Sequence, residues 1–103
     1  MRDPQVLAEV KEILLRLAKL SPGHAVEVRV PPYSAIQCVT GSRHTRGTPP
    51  NVVELNYETL TALIDGSMEW QAGISSGAIH ASGDKADLSL LFAELARMMS
   101  GED

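Results

Sequence analysis

Val6, Leu7, Val10, Ile13, Leu14 and Leu17 recur at three- and four-residue spacing near the start of the chain. That spacing puts them on one face of a helix. Asp3 is a favoured cap, Pro4 suits the first helical position, and Ser21-Pro22-Gly23 ends the run, so a helix is predicted over 4–20. The period then drops to two. Val26, Val28 and Val30 alternate with Glu27 and Arg29, the signature of a strand buried on one side. Pro31-Pro32-Tyr33-Ser34 turns the chain, and residues 35–39 read as a second strand, hairpin-paired with the first.

The stretch from Gly41 to Pro50 is polar and irregular, with room for at most a short edge strand because proline is tolerated there and not in a sheet centre. A strand is predicted again over 52–55. Asn56 is expected to cap a helix over 57–64 that Asp65-Gly66 ends, and Ser67 to cap a shorter helix reaching Ser75 or Ser76. Residues 78–82 read as the last strand. Gly83-Asp84 should turn into a final helix over 86–98, with Leu88, Leu91, Phe92, Leu95, Met98 and Met99 on one face. One sheet face needs covering and four helices are available. The expected class is α+β: an antiparallel-rich sheet of four to five strands with helices packed on one face, forming one domain over 1–103.

Composition narrows the function. The chain of 103 residues is 44% hydrophobic and 21% charged, ordinary globular values. Its aromatics are few, so the core must be aliphatic. Nine basic against thirteen acidic residues give a net charge of −4, which argues against nucleic acid as a partner. The lone Cys38 precludes an internal disulfide and reads as a small buried hydrophobe. No apolar run approaches the ~20 residues of a membrane span. No secretory leader is recognisable, so a soluble, cytoplasmic protein is expected.

Candidate chemistry is sparse. His24, His44 and His80 lack ligand spacing and have no Cys or carboxylate partners in a metal pattern, so no metal is expected. Ser75 in Gly73-Ile74-Ser75-Ser76-Gly77 fits the bare nucleophile-elbow spacing, but at the end of a short helix rather than on a strand-to-helix turn. No catalytic residue is assigned and no cofactor is implied. The best polar candidate is Arg43, His44 and Arg46 beside Gly47. Paired guanidinium donors suit a carboxylate or phosphate, although a solvated loop, or pairing with Glu27 or Glu54, is the plainer reading of the same residues.

The order of elements resembles the sterol carrier protein family in its bacterial, actinobacterial branch. The residues that carry the likeness are Leu63-Ile64-Asp65-Gly66, Ile74-Ser75-Ser76-Gly77 and Ile79-His80-Ala81-Ser82-Gly83-Asp84. The segment from Arg43 through Thr48-Pro49-Pro50 to Glu54 is also similar to the domain appended to mycothiol-dependent maleylpyruvate isomerase-type proteins. The resemblance implies a non-catalytic carrier that binds fatty acyl, sterol-like or other apolar ligands in a tunnel between sheet and helices. On that reading Leu60, Leu63, Trp70, Ile74, Leu88, Leu91, Phe92 and Leu95 are candidates for the apolar lining, and plain core packing is the competing reading of the same residues. Arg43, His44 and Arg46 would seat an anionic head. Two other functions stay open: an accessory domain with a closed tunnel that binds a protein partner, or a subunit of an enzyme using a thiol cofactor.

Overall fold

The computed structural model describes residues 3–41 and 50–101. Helix α1 spans Pro4–Leu20 as its pattern requires, and the Asp3 carboxylate accepts the N–H groups of Gln5 (2.8 Å) and Val6 (3.4 Å). Strands β1 (Val26–Val30) and β2 (Ser34–Cys38) form the expected hairpin, closed by a turn holding the cis Pro31–Pro32 peptide. Strand β2 stops a residue before the predicted end. Val39 takes a left-handed conformation at φ 70, unusual for a β-branched residue, and is held there on both sides. Its N–H donates to the Ser21 carbonyl (2.7 Å), and its carbonyl accepts the Ala25 N–H (2.9 Å).

Strand β3 (Asn51–Leu55) leads into α2 (Tyr57–Asp65), α3 (Trp70–Ser76), β4 (Ile79–Ser82) and α4 (Ser89–Met99). Among the described residues the sheet has four strands in the order β2-β1-β3-β4. It is antiparallel-rich as expected, with two of its three strand pairs antiparallel, but mixed, because its central pair β1–β3 is parallel. The register explains why. Val26, at the start of β1, pairs with Cys38 at the end of β2 on one flank and with Asn51 at the start of β3 on the other. A chain that leaves and re-enters the sheet at the same end must run β3 in the direction of β1. Helices α2 and α3 then fill the excursion at the opposite end, where Leu55 pairs with Ile79 and β4 returns antiparallel. The possible edge strand between Gly41 and Pro50 falls largely outside the described residues.

The two faces of the sheet differ sharply. Val26, Val28, Val30, Val53, Leu55 and Ile79 are buried in one core with Val10, Leu14 and Leu17 of α1, Leu60 of α2 and Phe92 and Leu95 of α4. The other face carries Glu27, Arg29, Gln37, Glu54 and His80, which pair among themselves across the strands. There Arg29 Nε donates to Glu27 Oε2 at 2.6 Å. All the helical burial is therefore on one side, as the alternating valines require.

Two helix starts differ from expectation. Asn56 caps α2 as predicted, accepting the Thr59 N–H at 2.8 Å, and Gly66 and Gly77 end α2 and α3 in the left-handed region, both at φ 83. Ser67, however, does not cap α3. Its N–H donates to Asp65 Oδ1 (2.9 Å), which closes the turn after α2, and Glu69 occupies the cap position with no side-chain bond. The final helix begins at Ser89 rather than at residue 86. Asp87 Oδ1 accepts the Ser89 N–H (3.0 Å), and the preceding Ala86 and Leu88 are buried as irregular core residues.

Cys38 is fully buried, and burial pushes its thiol up to about 11 from the ordinary 9.0. Alkylation at pH 8 should therefore be at least ~100-fold slower in the native protein than in denaturant, since the thiolate is the nucleophile. A rate matching the denatured protein would show that Cys38 is accessible. The sign of the linkage also follows. The contribution of a neutral buried thiol is intact below its unfolded value of 9.0 and is lost as pH rises through about 11.

Candidate functional site: a cleft between the α2–α3 turn and α4

The turn from α2 to α3 and the adjoining face of α4 enclose an open cleft of about 490 Å³. Its apolar surface is made by Leu63 at the end of α2, Met68 in the turn, Trp70 at the start of α3, and Phe92, Ala93 and Ala96 on α4. Phe92 and Ala96 are one helical turn apart, so the small side chain leaves space directly beside the large one. Trp70 stacks on Phe92 with centroids 5.7 Å apart and 26° between planes. This pair forms an aromatic floor, since both rings are largely withdrawn from solvent.

Local chemistry fixes both walls. Asp65 and Asp87 hold the chain where it enters the cleft region. Hydrogen bonds from the Ser67 hydroxyl and N–H hold the Asp65 carboxyl below its ordinary value, and those from Ser89 do the same for Asp87. Gly73 is required at its position because a Cβ there would run into Ile79 Cδ1, with Met68 Sδ 3.3 Å away. That close approach lets α3 lie on the start of β4 and brings Trp70 over α4. Among the described residues the polar lining consists of Glu69, Gln71 and Ser89, with Glu69 the one charged residue.

Of the lining residues expected from sequence, Leu63, Trp70 and Phe92 are brought together in this cleft. Leu60, Leu88 and Leu95 are buried in the closed core, while Ile74 and Leu91 are partly buried against it. Arg43, His44 and Arg46 lie outside the described residues. The sequence reading missed Met68, Ala93 and Ala96. The alanines were legible only as helix formers; their spacing around Phe92 was the available signal. Among the described residues no three His, Cys, Asp or Glu side chains are grouped to hold a metal ion. No helix among them is long and apolar enough to cross a membrane.

Other concavities are less suited to an apolar ligand. One of about 450 Å³ on the polar sheet face is lined by Val52, Glu54, His80, Ala81 and Ser82. Another, of about 470 Å³ between α1 and α4, has three charged residues in its lining.

The fold is that of a sterol carrier protein domain. Residues 2–93 match the family described as bacterial SCP ortholog, and the chain belongs to that family. Among solved structures it is similar to a protein described as UbiJ-SCP2 ubiquinone synthesis protein, at 21% identity over 99% of this chain and 98% of the other, with a TM-score of 0.55. It is also similar to the sterol carrier protein domain 2 of Helicoverpa armigera, at 17% identity over 99% and 95% of the two chains, with a TM-score of 0.51. At these identities the likeness shows a shared fold. No curated protein sequence matches the chain.

Proposed function

We propose that this chain is a non-catalytic carrier whose cleft between the α2–α3 turn and α4 takes the apolar chain of a lipid-like ligand. The observation that carries the reading is the stacked Trp70–Phe92 floor beside Ala93 and Ala96. It supplies apolar surface in a concavity within the ~300–1,000 Å³ range of small-molecule sites. Membership of the sterol carrier family supports the same ligand class. The charge of the lining adds a preference. Among the described residues Glu69 is the one charge in the lining, and on that lining the cleft suits a neutral, hydrogen-bonding head better than a carboxylate, which would face like charge.

Trp70 makes this testable without a label, because it is the only tryptophan in the chain. Titration with a long-chain fatty alcohol should change its fluorescence saturably, and the matching fatty acid should bind no more tightly. Ala96→Phe should fill the space next to Phe92 and weaken alcohol binding by at least ~10-fold, about the loss of two buried methylenes. Its melting temperature should stay close to that of the parent, because Ala96 is only partly buried. No response from Trp70 to either ligand would refute the carrier reading. Tighter binding of the acid would refute the neutral head.

A further inference from the structure

On the far side of α4 from this cleft, α1 exposes a stripe that its own fold leaves uncovered. Glu12, Leu15, Arg16 and Lys19 stand at positions i, i+3, i+4 and i+7 and so share one helical face. With Leu20 and Met98 they line a groove of about 470 Å³. Leu15 is 55% exposed and Met98 50%, which is unusual in a protein whose other large apolar residues are mostly withdrawn from water. Arg16 donates to Glu12 Oε2 at 2.8 Å within the same helix, leaving Lys19 as the cation at the other end of the stripe.

We propose that this groove is the self-association surface of the protein, occupied by α1 of a second copy running antiparallel about a two-fold axis. The order of charges is what selects the occupant. An antiparallel two-fold centred between Leu15 and Arg16 sets Glu12 of one copy against Lys19 of the other, twice, and crosses the two Leu15 side chains at the middle, where the two Arg16 side chains also approach, each with its charge offset by Glu12 of its own helix. A two-fold interface must be self-complementary in this way. An anionic lipid surface fits less well, because it would meet Glu12 at the centre of the groove and a chain of net charge −4. The stripe from Glu12 to Lys19 is only ~10 Å long. The interface is accordingly below the ~1,200 Å² of stable complexes, and the dimer is weak and reversible.

The test is sedimentation equilibrium of the intact chain from about 10 µM to 1 mM, a range that brackets weak, small interfaces. Self-association should appear in the wild type. Lys19→Glu and Glu12→Lys should each weaken it by at least ~10-fold, since each sets like charges opposite one another. The double variant Glu12→Lys/Lys19→Glu restores both pairs with reversed sign and should recover association to within ~3-fold of wild type. Both substitutions are at exposed sites, and thermal melts of the three variants confirm that the proteins are folded. A wild type monomeric at 1 mM overturns the proposal. So does association that neither single variant weakens, or a double variant that stays monomeric. A monomer that instead co-sediments with phosphatidylglycerol vesicles overturns it in favour of a lipid surface.

Discussion

Phe92→Ala should lower the free energy of unfolding by about 3–5 kcal/mol, the range for removing a buried aromatic ring. Phe92 is 2% exposed and carries Trp70 on its face, so truncation removes core packing and the stacking contact together. Leu91→Ala, one position earlier but only partly buried, should cost less than about 2 kcal/mol, because part of that side chain is already in water. Urea unfolding of both variants measures the difference. The comparison also separates core from binding wall. Phe92 belongs to both, so its variant should lose stability and ligand affinity, whereas Ala96→Phe should lose affinity alone. A Phe92→Ala protein losing less than about 1 kcal/mol would mean that the ring lies against empty space.

This double role shows how the site could be read only partly from the sequence. The stripe Leu88, Leu91, Phe92 and Leu95 marks a buried face of α4, and the pattern turns Leu63, Trp70 and Phe92 inward without saying where they meet. An apolar period says that a side chain is turned inward. It does not say whether the opposing surface closes on it, as around Leu60 and Leu95, or stops short, as beside Ala93 and Ala96. The void belongs to the small residues, and alanine in a helix carries no signal of its own. Strand direction was hidden for a similar reason. The alternation of Val26, Val28 and Val30 fixes which face is buried and is silent on whether the neighbouring strand runs parallel. Local chemistry was more legible. Asp3 and Asn56 cap as their side chains predict, and Gly66 and Gly77 end helices in the left-handed conformation that glycine adopts freely. Val39 at φ 70 carries no such mark, because its conformation is imposed by the Ser21 and Ala25 backbone rather than by its own residue type.

Asn51 is where the sheet and the approach to α4 are fastened together, and its removal should be as damaging as that of a core side chain. It is buried at the first position of β3, its amide donates to the Ala25 carbonyl at 2.8 Å, and its Oδ1 accepts the Lys85 N–H at 3.0 Å. Asn51→Ala should lower stability by about 2–4 kcal/mol, since two bonds go and two backbone groups lose their partner. Gly83 packs against the same side chain. At φ 110 it has a conformation that L side chains rarely adopt, and a Cβ there would collide with Asn51 Oδ1 and come within 2.8 Å of Asn51 Cα and the Pro50 carbonyl. Gly83→Ala should therefore also cost about 2–4 kcal/mol, from backbone strain and overpacking together. The two substitutions should not add. Once Asn51 is alanine the side-chain collision is gone, and Gly83→Ala should cost about 1 kcal/mol less than in the wild type, within the range of coupling between residues in contact. Urea unfolding of the four proteins in that cycle measures the coupling. Equal costs in both backgrounds would show that the turn at Gly83 is held by backbone alone, and that Asn51 does not set the position from which the chain enters α4.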